Sequence, residues 1–179
     1  MHTRIPAITA ALLLSASFPA FANDTEGGYL GGGVLGWIYA DEATDGSANG
    51  TGVQLRGGYR FNNRIALETR FNSGGEGTVD GIDVQLNRAV QFLFMYNFGQ
   101  SERTRSSVYA GLSTGELEFS AFGFSARESD TGLSFGLNVE HQASDTWSLY
   151  GDFGILQWGS IDGTEYILTG FSAGAAYHF

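Results

Sequence analysis

The chain has 179 residues, a formal net charge of −10 and no cysteine. The absence of cysteine excludes a disulfide framework and a cysteine-linked lipid anchor. An acidic balance of this size repels phosphates, so it also excludes nucleic acid as a partner.

The N-terminal segment has the pattern of an export signal. Arg4 precedes a mostly apolar run over 5–18, and Ala20-Phe21-Ala22 supplies a small-residue cleavage site. We therefore predict a signal peptide over 1–22 and a single mature domain over 23–179. A membrane-anchor helix is the alternative, but the run is shorter than the ~20 residues that a bilayer requires. Removal of Arg4 leaves eight arginines against nineteen acidic residues, a net charge of −11.

The rest of the chain alternates between apolar and small or polar residues with a period of two, which predicts strands with one apolar face. The segments with this pattern are 29–39, 53–61, 65–72, 90–98, 108–112, 133–139, 147–155 and 167–179. Glycines leave the register of the first segment open. Both prolines lie in the predicted signal, so the rest of the sequence has none. This suits a closed sheet in a membrane, because proline cannot donate the backbone hydrogen bond that each strand residue must make there. The pattern predicts an all-β, eight-stranded, antiparallel up-and-down transmembrane β-barrel.

The connections alternate in length, as they do in such barrels. We predict short or moderate turns at 62–63, 99–107 and 142–145, and longer outer loops at 41–51, 73–83 and 116–130. The third outer loop carries apolar residues: Leu117, Phe119, Phe122 and Phe124. These side chains either pack on one another, the favoured interpretation, or offer an edge or apolar patch to a surface partner.

The face opposite the apolar one predicts the contents of the barrel. Its charged members are Arg56, Arg60, Glu68, Arg70, Glu140 and Asp152, and its amides are Gln54, Gln91, Asn97 and Asn138. Three positive and three negative charges balance, and an eight-stranded barrel is just wide enough for side chains to fill. We expect a structural network of ion pairs that plugs the lumen. A polar, weakly conducting passage is the alternative.

Arg88 breaks the alternation, because Ile82, Val84, Leu86 and Val90 share its parity. Its distance from Phe98 puts it near the outer interface, where an arginine can reach a lipid phosphate. A local bulge or a loop position is the other explanation that we keep open.

Motifs for catalysis or cofactor binding lack the context that their chemistry needs. The glycine-spaced sequences over 31–36 and 111–115 are not followed by predicted helices, so they do not indicate a dinucleotide site or a nucleophile elbow. His141 and His178 fall at the wrong end to meet lipid A. We therefore predict no catalytic, cofactor-binding or metal-binding residues, and we expect the acidic residues Asp41, Glu42, Asp45, Asp80 and Asp83 to be solvated. Divalent cations that bridge these residues or link them to lipopolysaccharide are the alternative.

Three stretches, 106–115, 129–153 and 166–179, resemble the fifth strand, the paired sixth and seventh strands, and the closing strand of a known family. It is the family of small outer-membrane β-barrels that includes OmpA-type transmembrane domains and opacity-type porin-like proteins. The ending at Tyr177 and Phe179 resembles the signal that the barrel assembly machinery reads. The resemblance implies a monomer in a Gram-negative outer membrane, with lipid and lipopolysaccharide as partners.

For function, this resemblance implies a structural or surface-interaction role without enzyme activity, and the surface partner is unknown. A narrow porin-like channel for ions or small solutes is the second hypothesis. A lipid A-modifying barrel enzyme is the third, and it would require a cluster of His, Ser and carboxylate near the outer leaflet.

Overall fold

A computed structural model describes residues 26–41, 47–79, 81–121, 124–161 and 163–179. The predicted signal peptide over 1–22 lies outside these residues, as do Glu42, Asp45, Asp80 and Phe122. Within the described ranges, no helix is long and apolar enough to cross a membrane. The strands are β1 (Gly27–Asp41), β2 (Ser47–Arg60), β3 (Ile65–Gly74), β4 (Glu76–Val79), β5 (Ile82–Gln100), β6 (Thr104–Ala121), β7 (Phe124–Gln142), β8 (Trp147–Ile161) and β9 (Thr164–His178).

The strands form one closed antiparallel ring. Strands that follow one another in the chain pair with each other, except that β3 pairs with β5 and not with β4, and β1 pairs with β9 to close the ring. The short β4 continues the line of β3 along β5, so β3 and β4 together occupy one of eight positions in the ring. The predicted all-β, up-and-down barrel is confirmed. The register of β1, which the sequence left open, pairs Val34 with Val53 on one side and Ala173 on the other.

The two ends of the barrel differ. At one end, called the terminal end, the start of β1 meets Phe179, and the connections 61–64, 101–103 and 143–146 are short. At the opposite, distal end, the predicted long loops are mostly strand: β2 begins at Ser47, and β6 and β7 stay paired up to Ala121 and Phe124. The loop prediction was therefore wrong for most of 41–51, 73–83 and 116–130. Backbone pairing extends the sheet beyond the apolar band.

The outer face carries a continuous apolar band, as the alternation predicted. Its exposed members include Leu30, Val34, Leu55, Leu67, Phe92, Phe94, Leu112, Phe135, Leu137, Leu149, Phe153 and Phe171. In a water-filled environment so much exposed apolar area would be costly, whereas lipid tails solvate it.

A β-bulge explains the anomaly at Arg88. The pairing of β5 with β6 shifts register between Leu86 and Arg88, so Asn87 is an extra residue in β5. Val84 and Leu86 therefore point into the barrel and are buried, whereas Arg88 faces outward. The assumption that these residues share one face was wrong, and the alternative of a local bulge was right. A second register shift at Leu156 turns Leu156 and Gln157 inward together.

Glycines make room for large inward side chains on neighbouring strands. A Cβ on Gly50 would lie 2.6 Å from the ring of Trp37, and one on Gly136 would lie 2.5 Å from the Tyr109 hydroxyl. Each aromatic ring therefore lies across a strand that has no side chain at that point. The barrel fills its narrow interior by this pairing of large with absent side chains.

Candidate functional site

Four side chains form a closed loop of alternating charge in the interior, which we call the charge ring: Arg56, Glu68, Arg70 and Asp152. Arg56 contacts Glu68 at 2.6 Å and Asp152 at 3.2 Å. Arg70 contacts Asp152 at 2.9 Å and also binds Glu68. Each charge thus has two opposite neighbours, and all four residues are buried. Pairing of this kind offsets the cost of taking ions out of water.

Polar and aromatic side chains add further contacts to the charge ring, while Arg70 Nη1 is buried without a hydrogen-bond partner among the described residues. Tyr29 donates a hydrogen bond of 2.6 Å to Glu68, and Asn138 donates one of 2.8 Å to Asp152. The guanidinium of Arg56 lies 4.1 Å from the centre of the Tyr150 ring. Such contacts bind a cation through the ring face while excluding water.

A second group, the terminal cluster, lies nearer the chain termini and consists of Arg60, Glu140, His178 and Ser148. Arg60 binds one carboxylate oxygen of Glu140, and the other oxygen lies 3.1 Å from His178 Nε2. Arg60 also lies 3.1 Å from His178 Nδ1, and Ser148 Oγ lies 2.8 Å from Nε2. Because a guanidinium can only donate, Nδ1 must accept and Nε2 must carry the proton.

An amide belt crosses the interior on the distal side of the charge ring. Gln54 donates to Asn72 at 3.0 Å, Asn72 donates to Gln91 at 2.9 Å, and Gln91 donates to Ser134 at 2.6 Å. Ser134 in turn donates to the carbonyl of Ile155. The chain of bonds connects strands on different sides of the barrel, so it leaves little unbonded polar surface for passing water.

Beyond the amide belt the interior becomes apolar, which the sequence analysis did not anticipate. We call this region the apolar core; its buried members are Leu35, Trp37, Tyr39, Ala48, Val84, Leu86, Ala89, Leu117, Leu156, Tyr166 and Leu168. Phe119 packs against it, whereas Phe124 is 82% exposed. The apolar residues of the predicted third loop therefore divide: Leu117 and Phe119 pack inward, Phe124 faces solvent, and Phe122 lies outside the described residues.

A small cavity lies at the terminal mouth. It has a volume of about 20 Å³, and its wall includes Arg60, Arg105, Asn97 and Glu140. One water molecule needs about 10–15 Å³ of such volume, so the cavity holds one or two.

The structure brings all six charged residues predicted for the lumen into the interior, but in two groups. Arg56, Glu68, Arg70 and Asp152 are joined directly, whereas Arg60 and Glu140 belong to the terminal cluster. Sequence reasoning missed Arg105, His178 and the inward tyrosines. The signal for Arg105 was available, since it shares the parity of the inward Ser107 and Tyr109.

The remaining predicted site residues lie on the outer surface. The side chain of Arg88 is 61% exposed, and its guanidinium lies 2.9 Å from Glu116. Tyr177 faces outward at the terminal end, with its ring 5.3 Å from that of Trp147. Phe179 exchanges backbone hydrogen bonds with Gly28, which joins the last residue to the first strand.

Potential metal ligands do not converge in the described ranges, where no group of three or more His, Asp or Glu side chains is placed to hold an ion. Asp41 and Asp83 are within those ranges, and Asp83 accepts a hydrogen bond from Thr78.

Solved structures with a similar fold include outer-membrane proteins. The attachment invasion locus protein Ail of Yersinia pestis superposes with a TM-score of 0.63 at 20% identity, covering 86% of this chain and 99% of Ail. Neisserial surface protein A gives a TM-score of 0.72 at 16% identity, with 85% and 97% coverage. The N-terminal barrel domain of Pseudomonas aeruginosa OprF gives 0.55 at 14% identity, with 86% and 99% coverage.

The sequence itself also identifies a family. No curated protein matches the chain. The family model described as an outer membrane protein beta-barrel domain matches residues 8–179. This chain therefore belongs to the outer membrane protein β-barrel family, and it is an integral protein of the Gram-negative outer membrane.

Proposed function

We propose that the protein is a closed barrel that serves the structure of the envelope and presents its distal end for surface interactions. The observation that carries this proposal is the filling of the interior at three successive levels: charge ring, amide belt and apolar core. Short turns usually face the periplasm, so we assign the terminal end to the periplasm and the distal end to the exterior.

A porin-like passage would have to breach all three levels. The charge ring holds each ion between two partners, and the apolar core offers water few hydrogen-bonding groups, one of them the buried Trp37 Nε1. The cavity at the mouth has room for only one or two waters. These features favour the plugged barrel over the channel hypothesis.

Planar-bilayer recording of the refolded wild-type barrel tests the proposal directly. We expect no steady single-channel conductance. Arg70→Ala alone should stay closed because the amide belt and the apolar core remain. Arg127→Ala, an exposed distal change, serves as the control. Steady conductance of the wild-type protein would favour the porin-like alternative.

Enzyme activity is disfavoured by the geometry of the terminal cluster. Ser148 and Glu140 both approach Nε2 of His178, and Arg60 approaches Nδ1. In a nucleophilic triad the carboxylate instead binds the nitrogen opposite the serine, so that it orients the ring and stabilises its positive form. The cluster also lies at the terminal end, away from lipid A, which supports a non-enzymatic barrel.

The distal end supplies the surface for interactions. Two ion pairs lie on its outer face: Arg88 with Glu116, and Arg127 with Glu118 at 2.8 Å. Ail has been crystallised with the heparin analogue sucrose octasulfate. In this chain the paired arginines and the acidic balance favour a partner that is not a polyanion, with exposed Phe124 as an apolar contact.

Arg88 is the residue that we propose for contact with lipid. On β5 the apolar band begins at Val90, and Arg88 lies two residues before it, on the distal side. Most of the Arg88 side chain is accessible beside Glu116. A guanidinium at this height matches the phosphate of lipopolysaccharide in hydrogen-bond geometry.

Phe179 and Tyr177 are proposed to direct insertion by the barrel assembly machinery, and the product is proposed to be a monomer. Deletion of Phe179 should lower the folded amount in the outer membrane, because its backbone closes the ring against Gly28. Phe124→Ala, a change at an exposed aromatic residue of the opposite end, is the control. Equal folded amounts of the two variants would contradict the assembly role. An oligomer in light scattering would contradict the monomer.

A further inference from the structure

The cavity at the terminal mouth has an excess of positive charge. Among the described residues its lining includes four arginines, Arg56, Arg60, Arg64 and Arg105, but only one acidic residue, Glu140. Arg56 is neutralised within the charge ring, and Arg60 is paired with Glu140. Within the described residues, Arg64 and Arg105 therefore line the cavity without forming an ion pair.

The position of Arg105 would allow an ion pair with Glu140, but the Glu140 carboxylate already binds other residues. In the pairing of β6 with β7, Arg105 lies directly opposite Glu140. Both oxygens of that carboxylate are taken, one by Arg60 and the other by His178. Arg105 Nε is buried and, among the described residues, has no hydrogen-bond partner.

Glu140 cannot turn toward Arg105 without breaking the terminal cluster. His178 accepts from Arg60 through Nδ1, so its Nε2 proton is directed at Glu140 and Ser148. Rotation of the carboxylate would remove the ion pair of Arg60 and one of the two acceptors near the Nε2 proton, in a partly buried place. The cluster thus holds its own carboxylate and leaves the neighbouring guanidinium open.

We propose that the terminal mouth is a binding site for a phosphate group, held by Arg105 and Arg64. Guanidinium donors match phosphate oxygens in charge and geometry. A cavity of about 20 Å³ admits one phosphate oxygen to Arg105. The rest of the phosphate stays in the open mouth beside Arg64, on the turn between β2 and β3. The group comes from the periplasmic side, either as a soluble phosphate or as a lipid headgroup.

The test follows the arginine Nε–H resonances of the refolded full chain by NMR. In alkyl-maltoside micelles, sodium phosphate is added against sodium chloride at equal ionic strength. We expect a saturable shift of the Arg105 resonance with phosphate alone, while the resonance of Arg127 stays in place. Arg105→Gln should weaken binding about tenfold or more, and Arg64→Gln should weaken it less.

Three results would overturn the proposal. They are an equal shift with chloride, an equal shift at Arg127, and no shift of Arg105 at all, which would mean that the cavity holds water only. The wild-type measurement decides the matter even if Arg105→Gln does not fold.

Repeating the titration in phosphocholine micelles identifies the source of the phosphate. If the Arg105 resonance is already displaced there and added phosphate has no effect, a lipid headgroup occupies the site. If added phosphate still shifts it, the ligand is a soluble phosphate. Either result supports the phosphate site.

Discussion

The membrane-spanning part of the barrel and its distal extension are opposite in organisation. In the first, Arg56 and Asp152 lie inside while Leu55 and Phe153 face lipid. In the second, Leu117 lies inside while its neighbours Glu116 and Glu118 lie on the outer surface. One sheet therefore has a charged interior where its exterior is apolar, and an apolar interior where its exterior is charged. The surrounding solvent fixes the outer face, and the interior takes the remaining residues.

The strands make this inversion in two ways. In β5 the even-numbered residues are apolar on both sides of Arg88, and the bulge at Asn87 moves them from the inside, as at Leu86, to the outside, as at Phe92. β6 has no bulge at this height. Instead, its apolar residues change from even-numbered, outward positions such as Leu112 to odd-numbered, inward positions such as Leu117. A geometric change and a chemical change thus produce the same result on neighbouring strands.

The largest loss of stability is expected from a substitution in the charge ring of the membrane-spanning part. Arg70→Ala leaves Glu68 and Asp152 to share Arg56, and loss of one partner from a buried pair costs about 3–5 kcal/mol. Denaturant unfolding in bilayers should show this loss of free energy. Arg127→Ala, at an exposed ion pair, is the matched control, and equal stability of the two variants would show that the charge ring adds no net stability.

A somewhat smaller loss of stability is expected from a substitution in the apolar core of the distal extension. Leu86→Ala opens a cavity beside Val84 and Trp37, and such changes cost about 2–5 kcal/mol. Phe124→Ala removes a larger but exposed side chain from the same region and should stay within about 0.5 kcal/mol. If the same unfolding assay gave both variants the same stability, the distal core would not be packed as described.

The smallest effect is expected at the boundary between the two halves. Arg88→Gln breaks an exposed pair with Glu116, worth about 0–1 kcal/mol in phospholipid bilayers without lipopolysaccharide. With lipopolysaccharide present, the loss measured by thermal unfolding should be larger, because the proposed phosphate contact is lost as well. An identical effect in both bilayers would rule out that contact.

Much of the membrane-spanning part followed from alternation alone. The inward placement of Arg56, Glu68 and Asp152 needs only parity, because those strands keep one phase across the apolar band. The distal part could not be predicted this way. Val84 and Leu86 share the parity of lipid-facing Phe92, and only the extra residue Asn87 separates them. A bulge has no strong sequence signal, so one undetected insertion reverses every residue beyond it.

The sequence also could not predict which of the interior charges contact one another. Charge balance suggested a single network, but which partners meet depends on the stagger between strands that are distant in the chain. His178 joined the terminal cluster because β9 closes against β1 and β8, a register that the glycine-rich first strand did not reveal.

The charge ring also constrains the order of folding. Glu68 is separated from Arg56 and Arg70 by 12 and 2 residues, so these three can meet early within one hairpin. Asp152 is 96 and 82 residues away from the same arginines and arrives only with the late strands. Until then the hairpin carries one surplus positive charge, which is costly to place in lipid. The arriving carboxylate neutralises that charge, so long-range attraction between the two ends of the chain favours closing the barrel as it enters the bilayer.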